Sequence, residues 1–174
     1  MFNLHRHGAG VAILMECPEG SKAVKHKISN EQAEQGFGVE LAHERMENGE
    51  LRFRLFGDDG NGYIRTVATS TGGWQNSHSH TAFRELYLVE FGWLGMATPK
   101  GPGVAIKIFP EGRRCISPMG QIHNIYLCPD AVIHTIKFGI RGAVSRFDPA
   151  PDFNSLTQHL TEQDVLAIAK SGAV

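Results

Sequence analysis

His78, His80, Glu85 and His123 are the side chains whose types and spacing give this sequence its chemistry. His78 and His80 lie two apart in a β-rich run, so both imidazoles leave one face of the strand, close enough to share an ion. Glu85 comes five residues later with the opposite parity. The segment from Thr81 to Arg84 must therefore bend or bulge before a fresh strand begins, and that bend can turn the carboxylate back toward the imidazoles. His123 lies on a later strand, just after a turn made by Pro118, Met119 and Gly120. Imidazole nitrogen and carboxylate oxygen are ligands for divalent iron, manganese, nickel, cobalt or zinc, and only the neutral ring and the ionised acid bind such an ion. The competing reading of an HxH pair is two exposed histidines on a strand.

The elements that must position these residues are mostly short strands. Apolar and basic residues alternate from Leu51 to Phe56 and again from Tyr63 to Ala68, with Gly- and Asp-rich punctuation between, which reads as a β-hairpin. That loop is no calcium loop, because Gly60 stands where an oxygen ligand is needed. Between residues 74 and 139 the β-rich runs are 74–80, 85–91, 93–97, 104–109, 113–117, 122–127 and 131–138, separated by turn signals such as residues 98–103 and 110–112. Many short strands with such turns point to a sandwich or barrel. An earlier strand is expected at about 10–15, and Ser29 to Gln32 has the form of a capping box opening a helical turn through Glu34. Pro149 and Pro151 stiffen the chain after the last strand, and Thr161 to Asp164 caps a helix running to about Lys170. Its apolar positions Val165, Leu166, Ile168 and Ala169 suit docking on a sheet or on a second subunit.

The spacing around the histidines carries a family resemblance. Gly72, five residues, His78-Ser79-His80, four residues, Glu85, six residues and Gly92 match the first signature of the cupin superfamily at every position. Gly112, five residues, Pro118-Met119-Gly120, two residues and His123 match the second, whose terminal asparagine is replaced by Leu127. The chain thus resembles a cupin over residues 72–127. The resemblance implies an all-β fold, the double-stranded β-helix or jelly-roll barrel, with a short C-terminal helix. It implies one domain over residues 1–174, a core barrel at about 50–139 and a helical tail at about 152–172. It further implies that His78, His80, Glu85 and His123 converge inside as metal ligands for one divalent transition metal per chain. The motif glycines Gly72, Gly92, Gly112 and Gly120 punctuate strand ends where the backbone needs positive φ, and Pro118 stiffens the turn that delivers His123.

Strand parity puts Tyr87 and Val89 on the face of Glu85, Trp74 and Asn76 on that of His78, and Gln121 and Ile125 on that of His123. Tyr87, Asn76 and Gln121 are polar enough to contact a substrate or the outer nitrogens of the histidines, and Glu85, Tyr87 and Gln121 are the candidate catalytic residues. His134, with Val132, Ile136 and Phe138 on its face, reads as a buried core histidine. Arg52, Arg54 and Arg65 suit handles for an anionic substrate and equally suit solvated outer strand faces, and they are left out of the site. His5, His7, His26, His43 and His159 have no partner spacing and read as surface residues.

Composition narrows the function classes. Lys plus Arg is 17 and Asp plus Glu is 18, so the net charge of −1 supplies no field for nucleic acid or an anionic membrane. No apolar run approaches the roughly 20 residues of a membrane span, and the apolar stretch from Gly8 to Met15 runs into Glu16, Cys17 and Pro18 without a signal-peptidase site. Three cysteines, Cys17, Cys115 and Cys128, lack CxxC spacing and fit a reducing cytoplasm. The resemblance implies a metal-dependent enzyme acting on a small polar molecule, a sugar or an oxygenated acid, by dioxygenase, decarboxylase/lyase or isomerase chemistry. Its alternative is a non-catalytic small-molecule-binding or sensor cupin. Cupins commonly pair, so a homodimer is expected, with no nucleic-acid or membrane partner.

Overall fold

The structure, a computed structural model, describes residues 27–140, 143 and 147–172. The strand expected at 10–15, together with His5, His7, His26 and Cys17, lies outside the described residues. Ser29 caps α1 (Asn30–Phe37) through the reciprocal bonds of a capping box with Gln32. The helix runs past the expected end at Glu34 until Gly38 closes it in the left-handed region. Three strands follow as an antiparallel meander: β1 (Val39–Arg45), β2 (Leu51–Gly57) and β3 (Gly62–Val67). The sequence does not signal β1, whose alternation mixes Glu40, His43 and Glu44 with few apolar residues. In the β2–β3 turn the Asp59 carboxylate accepts from the backbone and side-chain amides of Asn61, at 3.0 and 2.6 Å, so it serves the turn itself.

The remaining strands are β4 (Gly73–Trp74), β5 (His78–Ser79), β6 (Phe83–Phe91), β7 (Trp93–Lys100), β8 (Gly103–Pro110), β9 (Arg114–Ser117), β10 (Asn124–Leu127), β11 (Val132–Gly139) and β12 (Asp148–Pro149). Their antiparallel pairs are nested: β7 with β8, β6 with β9, β4 with β10 and β3 with β11. A long hairpin folded over on itself produces this nesting, and it defines a jelly roll. The result is a six-stranded sheet in the order β1-β2-β3-β11-β6-β9, a four-stranded sheet β4-β10-β7-β8 and the small pair β12-β5. The expected all-β jelly roll with a C-terminal helix is the fold observed. β7 and β8 extend through the region expected to be a loop. Pro99 is accommodated because β7 beyond Ala97 pairs with β8 alone, so its missing N–H costs no ladder bond on the other side.

Period-two alternation divides each sheet between an inner and an outer face. Leu94 and Met96 of β7, Ile125 and Leu127 of β10, and Tyr87, Val89 and Ile133 of the larger sheet meet between the sheets as one core cluster. On the outer side of the smaller sheet, Ala97, Ile106 and Tyr126 are covered by α2 (Pro151–Thr157) and α3 (Glu162–Ser171), through Phe153 and Val165. α3 therefore docks on the sheet of its own chain. Its reciprocal cap between Thr161 and Asp164 is the expected one. β10 is buried on both faces, and Asn124, facing outward, donates to Thr157 Oγ1 of α2 at 2.9 Å. The four signature glycines all have positive φ, as expected: 64° at Gly72, 76° at Gly92, 74° at Gly112 and 72° at Gly120.

Candidate metal centre

The expected run at 74–80 is broken. β4 ends at Trp74, residues 75–77 leave the ladder, and β5 resumes at His78. There the backbones of His78 and His123 exchange two hydrogen bonds of 3.0 Å, so their rings stand side by side with centroids 4.6 Å apart. The His80 carbonyl accepts from the Gly120 amide at 2.8 Å, tying the HxH segment to the turn that delivers His123. The chain then bends at residues 81–82 and enters β6, which brings Glu85 back to the histidines as the parity argument requires. Glu85 is paired in register with Lys137 of β11 on one side and Ser117 of β9 on the other.

Glu85 is 3% exposed, and every neighbour converges on its carboxylate. His78 Nε2 lies 3.4 Å and His123 Nε2 3.1 Å from Oε2, while His80 Nε2 lies 3.3 Å from Oε1. The ligand atoms of His78, His80 and Glu85 all lie within 4.8 Å of one another, and His123 joins this group through Oε2. Lys137 Nζ is 3.1 Å from Oε1 and 3.3 Å from His80 Nε2. Tyr87 Oη donates to Oε2 at 2.7 Å and lies 3.1 Å from His123 Nε2. Burial works to raise the Glu85 pKa, but hydrogen bonds from the three histidines and the Lys137 charge outweigh it and hold the carboxyl well below the usual carboxylate range. Burial keeps the His78 imidazole below its ordinary value, partly opposed by Glu85. Burial, reinforced by the Glu85 charge, pushes the Tyr87 phenol well above its own.

The donor set fits a divalent ion. His78 Nδ1 is 2.8 Å from the Asn76 carbonyl, and His123 Nδ1 is 3.0 Å from the Gln121 carbonyl and from Ser117 Oγ. A carbonyl only accepts, so the Nδ1 of His78 and of His123 carries a hydrogen; each Nε2 then donates to Glu85 only if its ring takes a second proton, and otherwise turns its lone pair to the carboxylate. Acceptors facing acceptors in a buried site call for a second proton on each ring or for a cation among them. Ligand atoms about 2.0–2.2 Å from one ion stand about 3.0–3.5 Å apart at ordinary bond angles, and the nitrogen-to-carboxylate separations of 3.1–3.4 Å fall in that range.

The other sequence-stated positions divide. Tyr87 is at the cluster. Gln121 reaches it through its backbone carbonyl, and Asn76 does likewise, its side-chain oxygen accepting from Gln158 at 3.0 Å. Trp74 turns away to stack edge-on with Tyr126 and donate to the Leu160 carbonyl, because the break after β4 interrupts the parity. Val89 and Ile125 belong to the core cluster. His134 is a correction: it is half-buried on the outer face, with Nδ1 2.7 Å from Tyr63 Oη and Nε2 2.8 Å from Glu90. Arg65 also pairs with Glu90 on that face, whereas Arg52 and Arg54, for which the sequence leaves both faces open, line the interior. The face of β2 that carries Phe53 and Leu55 is the outer one, which sends the arginines inward. His43 and His159 are exposed, as expected.

Behind the cluster lies a chamber of about 200 Å³, lined by Arg52, Arg54, Gln75, Tyr87, Lys137 and Phe147 among others. It adjoins an outer cavity of about 700 Å³, which shares Arg52, Gln75, His78 and Phe147. The Phe147 ring stacks on His78 at 4.7 Å and covers the cluster. The sequence does not single out Lys137 or Phe147. The inner face of β11 is Ile133, Thr135 and Lys137, and a lysine closing that row was the available signal.

Fold and cluster together define the class: a jelly-roll barrel enclosing three histidines and a carboxylate beside a polar chamber. The chain is similar to a conserved protein with a double-stranded β-helix domain from Klebsiella pneumoniae subsp. pneumoniae MGH 78578, at 16% identity and TM-score 0.48 over 61% of this chain and 90% of that one. It is similar to KdgF from Halomonas sp., at 14% identity and TM-score 0.47 over 57% of this chain and 87% of that one. It is also similar to the Drosophila melanogaster CENP-C cupin domain, at 16% identity and TM-score 0.45 over 57% and 71%. No family model and no curated protein matches the sequence.

Proposed function

We propose that His78, His80, Glu85 and His123 hold one divalent transition metal per chain, among iron, manganese, nickel, cobalt and zinc, and that the chain is a single-domain, metal-dependent cupin enzyme acting on a small polar molecule. The observation that carries this reading is the convergence of three imidazole Nε2 atoms on a buried, ionised carboxylate. Such an ion supplies Lewis acidity toward a carbonyl or enediol, or a redox centre toward dioxygen, and the reaction is of dioxygenase, decarboxylase/lyase or isomerase type. The chain's own residues do the positioning. The Asn76 and Gln121 carbonyls and Ser117 orient the rings, Tyr87 holds a proton at Oη against Glu85, and Phe147 stacks on the His78 ring. Cys115 and Cys128 are free, and burial raises both thiols, Cys115 to about 12, which keeps them unreactive. No helix among the described residues is long and apolar enough to cross a membrane. We assign the working unit as a homodimer, on the apolar outer face of the larger sheet.

Elemental analysis of freshly purified protein, followed by reconstitution and an oxygen-consumption screen, tests this function. About one equivalent of metal per chain is expected, and His80→Ala and His123→Ala should lower it at least tenfold while the barrel's circular dichroism persists. A wild-type chain that neither carries nor takes up metal overturns the reading. Saturable ligand binding without turnover assigns the chain to the non-catalytic cupins.

A further inference from the structure

We propose that the chamber beside the cluster takes a small carboxylic acid, with Lys137 as the residue that selects its anionic group over a neutral analogue. This deepens the metal-centre reading and rests on it. The chamber wall carries three cations, Arg52, Arg54 and Lys137, and one anion, Glu85. Arg52 is already paired with the buried Glu50 at 2.9 Å, and Arg54 with Glu44. Lys137 has Glu85 as its anionic partner among the described ion pairs, at 3.1 Å, and its side chain is 16% exposed. A divalent ion held by Glu85 and the histidines commits that carboxylate and adds two positive charges beside the ammonium. A partly buried cation in that position is favoured by an anion of its own, which an acidic ligand brings.

The setting also limits the ligand's size and shape. At about 30 Å³ per water, 200 Å³ is the space of about seven waters, which suits an acid of a few carbons. Thr66, Gln75, Tyr87 and Thr135 line the same space and offer hydrogen-bonding groups for hydroxyl or keto oxygens. A neutral sugar would meet those groups but leave Lys137 facing the metal without a counter-charge.

The test uses the full chain loaded with cobalt(II), the metal content of each sample being measured first. Lactate and its neutral analogue lactamide are the probes, titrated calorimetrically and by the visible absorption of the bound cobalt. Lactate should bind about tenfold or more tightly than lactamide, and Lys137→Met should erase that preference while cobalt content stays unchanged. Lys137→Arg, which keeps the charge, should retain most of it, and serves also where Lys137→Met does not fold. Equal affinity for the two probes in wild-type protein, or a preference that survives Lys137→Met, overturns the proposal and leaves the metal reading standing. A wild-type chain that takes up no cobalt overturns both.

Discussion

Glu85 is sustained as a buried anion by three imidazoles, a lysine and a phenol, so its ionisation is linked to the stability of the metal-free barrel. Its folded pKa is depressed, which means that it contributes stability fully above the unfolded value of about 4.3 and loses it as the pH falls below that value. His78, also depressed, acts in the same direction from about pH 6.5 downward, because the unfolded chain takes up the proton first. In the presence of a chelator, Glu85→Gln should therefore destabilise the barrel at pH 7 by about 3–5 kcal/mol, the usual cost of leaving one half of a buried pair. The gap to wild type should narrow as the pH is lowered past 4.3. Denaturant unfolding at a series of pH values measures it, and a gap that does not change with pH would show that the charge of Glu85 is not its source. The four candidate ligands were legible in the sequence because counting residues between them needs no knowledge of pairing. Lys137 was not, and the facing of Arg52 and Arg54 stayed open, because the inward face of a strand is decided by the partner it pairs with, and β2 turns its apolar residues outward.

At the scale of elements, the succession of strands between 83 and 139 was readable from alternation and turn residues, whereas the extension of β7 and β8 through 98–103 and the break at 75–77 were not. The sequence there reads as one continuous run, and it is the backbone bridge between His78 and His123, together with Ala150 donating to the Ser77 carbonyl at 2.9 Å, that sets where the ladder resumes. The β12 pairing with β5 that holds Phe147 over the site is likewise made by tertiary contact. Gly72 sits at the entry to this region. A Cβ there would lie 2.4 Å from the Leu127 carbonyl oxygen and 2.8 Å from the Cys128 carbonyl carbon, which are backbone atoms and cannot rotate aside, whereas a Cβ at Gly112 would meet nothing within 4 Å. Both have positive φ, so alanine should cost about 1–2 kcal/mol at either position from conformation alone. Gly72→Ala should lose about 1–3 kcal/mol more, because relief of the overlap shifts β4 away from β10. Comparison of the two variants by chemical denaturation checks this, and equal losses would mean that the contact is relieved without cost.

Taken whole, the barrel has two outer faces with different fates. The smaller sheet is covered by α2 and α3, and the larger one carries an apolar stripe that no described element covers. The stripe follows the pairing register: Leu41 opposite Leu55, Leu55 opposite Tyr63, Tyr63 opposite Ile136, Ile136 opposite Leu86, and Leu86 opposite Ile116. It crosses all six strands, about 24 Å at about 4.8 Å per spacing, and Leu41, Leu55, Ile136 and Ile116 are each more than 40% exposed. Monomeric proteins rarely leave so long an apolar row in water. Beside it, Tyr63, His134, Glu90 and Arg65 form a connected polar group that adds register to an otherwise featureless contact. A second copy related by a two-fold axis would lay the same stripe against itself, the arrangement commonest among soluble oligomers. Light scattering at micromolar concentration should give a dimer. Ile136→Lys, at the centre of the stripe, should give a folded monomer, and Leu156→Lys, equally exposed but on α2, should leave the dimer intact. A wild-type monomer, or a dimer that survives Ile136→Lys, would place the pairing surface elsewhere and leave the stripe without this role.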